Sequence, residues 1–474
     1  MGVRNLIPHL KRYAPSSLKE VSLSHFAHQP LAIDGTLFAY QALYTSYKRG
    51  GRDHESEEQM SDAALILRGI YYVARKLTFH NVQPLFIFDG PGTGVRSIVK
   101  AVERERRRER RKELLSAIES EEQRHDRLDH LNDLLNIMSH LSSSQLDYVT
   151  ADLETAAALM TDEEATSIQP PPDKPSRPPP ETAAKDIEHV KNMLEAHVDN
   201  LLKIQSADDE SRPVKSAARE ELALIEAIKQ EGALNPEHII HLQLLQKHHL
   251  TRQDKLRSRI AQVTPNLVKQ AAHLLDLMNI SHYTIEKDDY EGEMVCASLA
   301  SHGLVSATLT EDTDAIVAGD GLVIQKLGRN ILDKDLVTVV DPQLARDGLQ
   351  LSRSQFVDLC ILMGTDFSST IEGIGPVRAF GLIQKFGSIE NILKNQPKLV
   401  TGDTFLPEIA RGVFTRQYVP DDNLISLAEK TRTHVKQVDD TAALRYLNEQ
   451  GVMDVGYGRA EGDGGVRLEK FPGE

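Results

Sequence analysis

Four short apolar runs, each leading into acids, constrain this chain more than any other feature. Leu31-Ala32-Ile33 stops at Asp34-Gly35, and Pro84-Leu85-Phe86-Ile87-Phe88 stops at Asp89-Gly90. Far downstream, Ser281 to Ile285 is followed by Glu291-Gly292-Glu293, and Leu304 to Leu309 by Glu311-Asp312-Thr313-Asp314. Helical patterns separate these runs: Leu65, Ile66, Ile70, Val73 and Leu77 share one spacing, and Leu267, Ala271, Leu274, Leu275 and Met278 share one face. Strand alternating with helix predicts an α/β fold, a parallel twisted sheet with covering helices. Ligands of such sheets bind beyond the carboxyl ends of the strands. Parallel strands therefore bring acids that are distant in sequence to one rim.

Phe356, Leu359, Cys360 and Met363 recur at helical spacing, Gly364 caps that helix, and Asp366 follows as a seventh acid. Seven carboxylates on one rim repel, since two charges 4 Å apart cost ~4 kcal/mol at an effective dielectric of ~20. Cations that fill the rim relieve this. All-oxygen sites suit Mg²⁺ or Mn²⁺, and two ions ~4 Å apart form the clamp used for in-line attack on phosphodiesters. An acid after a strand is also an ordinary helix N-cap, and any one of these acids has that alternative. The set at matching positions argues for a single site. Glu291/Glu293 and Asp312/Asp314 have i, i+2 spacing, which on a helix diverges by ~200°, so each pair is expected at a helix beginning or turn.

The rest of the chain divides by composition. Arg96 to Lys112 carries nine basic residues against Glu103, Glu105 and Glu109, and reads as a phosphate-steering face that includes Arg104, Arg106 and Arg107. A proline cluster from Pro170 to Pro180 interrupts an otherwise helical stretch and is expected to be extended and disordered. Residues 113–260 thus form a long helical and partly disordered insertion. Residues 151–235 hold 9 Lys/Arg and 18 Asp/Glu, which concentrates much of the net charge of −15 there and suits a protein partner. Fields in salt decay over ~8 Å, so the negative total does not exclude nucleic acid. No run approaches the ~20 apolar residues of a membrane span. Cys296 and Cys360 are too few for a thiolate zinc site and read as buried thiols. Gly373-Ile374-Gly375-Pro376 between helices, with Arg378 after it, fits a phosphate-binding hairpin clamp.

In this order the residues resemble the flap-endonuclease/XPG family of structure-specific 5′ nucleases. The resemblance covers roughly 1–112 and 262–395. It runs from Met1-Gly2-Val3 through Ile33-Asp34-Gly35, Tyr40-Gln41, Phe86 to Gly90, Glu291 and Glu293 with Cys296-Ala297, Thr310 to Asp314, Phe356 to Asp366, and the Gly373 clamp. It implies a PIN-like nuclease core split into an N-terminal region (1–112) and an internal region (261–366). A helix–hairpin clamp (367–397) and a C-terminal helical extension with a loose tail (398–474) complete the expected order. It further implies two Mg²⁺ held by Asp34, Asp89, Glu291, Glu293, Asp312, Asp314 and Asp366, with Mn²⁺ as a substitute and K⁺ at the clamp. Gly2 would lie by the site and Tyr40 would stack on a base.

The implied reaction is cleavage of DNA phosphodiesters near single-strand/duplex junctions, with 5′–3′ exonuclease activity, in replication and repair. Where the family carries a Lys and then an Arg facing the scissile phosphate, this chain has Arg96 and Glu103, with Arg104 one step on. Arg for Lys keeps the charge and changes its shape. The gap of 202 residues from Asp89 to Glu291 is longer than in flap endonucleases and nearer an XPG-like spacer. No sliding-clamp box is found; Gly465 to Phe471 is at best a remnant. The expectation is a nuclear monomer, with the mitochondrion as the weaker alternative. A catalytically weak nucleic-acid-binding scaffold is the competing class.

Overall fold

A computed structural model describes residues 2–48, 60–90, 98–151, 153, 184–208, 210–260, 262–286, 290–327, 335–433, 440–452, 457–458 and 467–468. The backbone falls into two compact units, one of residues 1–109 with 261–474 and one of 110–260. Among the described residues, no helix is long and apolar enough to cross a membrane.

The first unit is built on seven strands: β1 (Leu18–Ser22), β2 (Pro30–Asp34), β3 (Gln83–Phe88), β4 (Ser281–Thr284), β5 (Ala307–Leu309), β6 (Leu322–Gln325) and β7 (Leu336–Val340). Their spatial order is β1-β7-β6-β5-β2-β3-β4. Every residue of β2 and β3 is buried, which is why both read as continuous apolar runs and not as alternating ones. The Asp62–Phe79 helix starts where the Ser61 side chain accepts from the Ala64 amide at 3.1 Å and packs its apolar stripe against one sheet face with the Pro265–Leu277 helix. The opposite face is covered near β2 and β3 by Val295, Cys296 and Leu299 of the Gly292–Ser301 helix. Cys296 and Cys360 are both fully buried.

The sheet departs from the parallel expectation at one edge. β4, β3, β2, β5 and β6 are mutually parallel, but β7 runs antiparallel to β6, and β1 antiparallel to β7. Only ten residues separate Gln325 from Leu336, too few for the helical crossover a parallel return requires. Edge strand β1 carries exposed Lys19 and Glu20, charges that discourage pairing with another chain. The C-terminal region is more regular than its weak pattern suggests, with helices at Pro407–Thr415, Asp422–Thr433 and Asp440–Glu449. Buried Asp358 holds one of them: Arg411 donates to both its carboxylate oxygens at 2.6 and 2.9 Å, and the Ile389 amide donates at 3.0 Å.

The second unit is helical, with an apolar core running from Leu128 to Leu245. Its interior also holds charge. Fully buried Glu221 faces Arg124 at 3.0 Å and Arg127 at 3.5 Å, while Glu121 takes His249 at 2.9 Å and Arg252 at 2.6 Å. The proline cluster lies outside the described residues. Burial, then His130 and Arg127, push the His197 imidazole down to about 4. A histidine whose folded pKa is depressed gives stability present above its unfolded value and lost as pH falls from ~6.5 toward 4. Amide exchange of the full chain is therefore expected to show the Ala184–Ser206 helix loosening over that window. His197→Leu removes that part of the pH dependence; an unchanged profile in the variant contradicts the assignment.

Candidate metal centre

Four neighbouring strands of the first unit, in the order β5-β2-β3-β4, run parallel and deliver their acids to one rim. Asp34 is the last residue of β2 and 3% exposed. Its Oδ1 accepts from the Leu37 amide at 3.0 Å and its Oδ2 from the Thr310 hydroxyl at 2.8 Å. Asp89 follows β3; its amide donates to Thr36 Oγ1 at 2.8 Å and its Oδ1 accepts from the Gly292 amide at 2.7 Å. Glu291 is the N-cap residue of the Gly292–Ser301 helix and Glu293 lies in its first turn. Asp312 Oδ1 accepts from the Asp314 amide at 3.0 Å, and the Asp312 amide donates to Thr310 Oγ1 at 3.1 Å. Both i, i+2 pairs thus stand at helix beginnings, as their spacing predicts.

The glycines here are dictated by approach. A Cβ on Gly292 would stand 3.2 Å from Asp89 Oδ1 and 3.5 Å from Asp34 Oδ1, so both carboxylates border the same point. Gly2 has φ +81°, and a Cβ there would fall 2.7 Å from Thr313 Oγ1 and closer still to Asp312 Oδ1. The chain start is fastened across the rim: Thr313 Oγ1 donates to Val3 O at 3.2 Å and the Arg4 amide to Gly364 O at 3.0 Å. Gly364, at φ +109°, ends the Arg353–Met363 helix and turns the chain into exposed Asp366.

Electrostatics joins these groups. Burial, then Asp89, raises the Asp34 carboxyl to about 7. Glu293 is raised well above the usual carboxyl range by burial and by Glu291, Asp312, Asp34 and Asp89. Asp312 is raised by burial above all, with Asp366 and Glu291 adding to it. Acids from five stretches of chain therefore act on these three buried carboxyls. Asp314, 2% exposed, enters through its amide, which orients Asp312. A set of buried carboxyls driven toward protonation by their neighbours fits a cation that would replace the protons. Among the described residues, no three of these side chains stand close enough together to enclose an ion.

The remaining candidates fall on other elements or outside the described residues. Tyr40 lies on the Gly35–Lys48 helix with its ring 39% exposed. Gly373 has φ +74°, Gly375 is the N-cap residue of the Pro376–Phe386 helix with open space at its Cα, and Arg378 Nη1 donates to Gly373 O at 3.0 Å. Arg104, Arg106 and Arg107 fall on the Ile98–Met138 helix. Arg96 lies outside the described residues, as does most of Gly465 to Phe471. Two hydroxyls escaped the sequence reading as site residues. Thr310 bridges Asp34 to Asp312, and Thr36 anchors Asp89; the only signal was their place one or two positions from an acid.

Two family models match this chain, the XPG N-terminal domain over residues 1–114 and the XPG I-region over 287–366. Over these two regions the chain is similar to the XPG/flap-endonuclease family of nucleases. Flap endonuclease 1 of Salmo salar is 36% identical over 178 residues, 37% of this chain and 46% of that protein. Flap endonuclease 1 of Entamoeba histolytica is 37% identical over 168 residues, 35% of this chain and 44% of that protein. The chain thus matches under half the length of these curated relatives. A solved catalytic core of Rad2 in complex with DNA substrate superposes with a TM-score of 0.43 at 16% identity, over 93% of this chain and 89% of that one. Flap endonuclease-1 from Methanococcus jannaschii gives a TM-score of 0.45 at 17% identity, over 93% and 96%.

Two outcomes follow from the crowding. Glu293→Gln is expected to raise the thermal midpoint of the metal-free protein by a few degrees, roughly the effect of 1 kcal/mol, and to abolish any rise on adding Mg²⁺. A Glu293→Gln midpoint below that of wild type, both measured in EDTA, contradicts the repulsion. Gly2→Ala, which presses on Asp312, is expected to weaken Mg²⁺-dependent stabilisation at least about tenfold in half-saturating concentration with the fold's circular dichroism intact.

Proposed function

We propose that the protein is a Mg²⁺-dependent structure-specific 5′ flap endonuclease, with 5′–3′ exonuclease activity, acting on DNA near single-strand/duplex junctions in replication and repair. One observation carries the reading: the buried carboxyls of Asp34, Glu293 and Asp312 are each raised by burial and by other acids of a set drawn from five separate stretches of chain, Asp89, Glu291 and Asp366 among them. The family match over both nuclease regions supports it, as does the identity to flap endonuclease 1 proteins. A full carboxylate set is what a scaffold without chemistry would not need to keep.

Asp34, Asp89, Glu291, Glu293, Asp312, Asp314 and Asp366 would hold two Mg²⁺, with Mn²⁺ as a substitute. When bound, such a pair supplies Lewis acidity for in-line attack of water on a phosphodiester. The chain's own groups do the positioning. Thr310 and Leu37 hold the Asp34 carboxylate, and Gly292 and Thr36 hold Asp89, so the acids are oriented before substrate arrives. Tyr40 offers an exposed ring on which a base of the entering strand stacks. Arg96 and Arg104 would face the scissile phosphate, and Arg106 and Arg107 would extend that basic face along the strand. Gly373 and Gly375 let a phosphate backbone approach the start of the Pro376–Phe386 helix, whose amides and dipole favour an anion, with Arg378 beside them and K⁺ as the clamp's cation. The 110–260 unit, acid-rich in sequence over 151–235, is the part suited to a protein partner.

The test is cleavage of a labelled 5′-flap duplex in Mg²⁺. The wild-type chain is expected to cut at the junction, and Asp89→Ala to lose about a thousandfold in rate, ~4 kcal/mol of transition-state stabilisation, while still binding the flap in Ca²⁺. Binding without cleavage by the wild type in both Mg²⁺ and Mn²⁺ refutes the proposal.

A further inference from the structure

The segment from Arg411 to Arg432 lies beyond both matched regions, 1–114 and 287–366, yet it holds the Gly292–Ser301 helix at three levels. Before the helix starts, the half-buried Tyr290 ring meets the Tyr418 ring in a T-shaped contact at 4.9 Å, and the Arg416 guanidinium stands over it at 5.0 Å. The Tyr290 hydroxyl donates to Gln417 O at 3.5 Å. Within the helix, Ser298 Oγ donates to Tyr418 O at 2.6 Å. Past its end, Arg432 donates to Gly303 O at 2.6 Å and to Leu304 O at 3.2 Å. The segment is itself fixed. Tyr418, Leu424 and Ala428 are buried in one cluster with Ala32, Leu85 and Ile87 of the two central strands. Tyr283 donates its hydroxyl to Asp421 Oδ2 at 2.9 Å, and Arg411 holds Asp358.

That helix carries Glu291 and Glu293, and its start is the part that must be placed. Glu291 occupies the N-cap position, but its side chain makes no capping hydrogen bond, so the carboxylate does not steady the helix it begins. The Gly292 amide is taken by Asp89 Oδ1 at 2.7 Å, so the helix start and a second acid move together. What fixes the direction in which the chain enters Glu291 is the residue before it. An aromatic pair and a cation–π contact at Tyr290 supply that direction, and the Ser298 bond sets the helix against the same segment. We propose that Tyr290, clasped by Arg416 and Tyr418, is a positioning residue that sets where the Glu291 and Glu293 carboxylates stand for a divalent cation. The C-terminal segment thus shapes the metal centre without supplying a ligand. The inference rests on the metal-dependent nuclease reading and extends it to residues outside both matched regions.

Binding of Mn²⁺, read from loss of the free-ion electron paramagnetic resonance signal well below the unfolding midpoint, separates placement of the acids from stability of the fold. Tyr290→Ala is expected to weaken Mn²⁺ binding about tenfold, the usual loss when a group that orients metal ligands is removed. Tyr290→Phe keeps the ring and is expected to stay within about twofold of wild type. Ser298→Ala, which removes the second hold on the helix, should also weaken binding, by less than Tyr290→Ala. Val268→Ala serves as the control, since it trims the core under the Pro265–Leu277 helix, a different cluster from the one that holds Tyr418. It is expected to lower the thermal midpoint in EDTA while leaving Mn²⁺ binding within about twofold. Unchanged binding in Tyr290→Ala overturns the proposal, and so does equal weakening in Val268→Ala, which makes the effect one of stability alone. A loss in Tyr290→Phe as large as in Tyr290→Ala overturns the role of the ring. Wild type that takes up no Mn²⁺ overturns the metal-dependent reading and this inference with it, so the two failures are told apart.

Discussion

Mutual repulsion among buried carboxylates is the constraint around which this protein is organised. Asp34 and Glu293 are almost out of water, and each stands among acids that raise the cost of its ionisation. Nothing in a folding energy favours such an arrangement by itself. The surrounding structure tolerates it by spending backbone amides and hydroxyls on the charges: Leu37 and Thr310 on Asp34, Gly292 on Asp89, Asp314 on Asp312. The proposed function asks for a site that is destabilised until a cation arrives, and the central strands carry the acids into it.

Close packing does the rest. The start of the chain is inserted so tightly beside Asp312 that only glycine fits at position 2, and Gly292 lets two carboxylates border one point. At Gly35, immediately after Asp34, a Cβ would meet the Phe88 ring at 2.6 Å, so the residue that follows one acid packs against the strand that delivers another. These contacts make the acids a unit: displacing one element moves several ligands. The helical unit of residues 110–260 has its own apolar core and its own buried ion pairs.

Much of this was readable in the linear chain. Strand runs as apolar as those leading to Asp34 and Asp89 can only be central strands, covered on both faces, and strands of that kind point their carboxyl ends the same way. The i, i+2 pairs had to sit at helix starts because a regular helix would part them. The edge of the sheet was not readable: β1 is half polar, β6 and β7 are short, and the return between them reverses direction for want of a crossover. Thr36 and Thr310 were silent because a hydroxyl near an acid has no pattern of its own, and its role depends on which strand lies alongside.

The amino-acid order by itself settled the chemistry available, since an oxygen-only set of acids repeated after strand-like runs leaves little choice but hard cations and phosphate. It also settled that glycines would flank those acids. Which acids share a space, how far burial drives Asp34 and Glu293 from their ordinary ionisation, and which hydroxyls and amides hold them were decided only in three dimensions. The physical reason is that periodicity is a local property, carried by a few successive residues, whereas desolvation and Coulomb coupling depend on groups brought together from positions as far apart as 34 and 312.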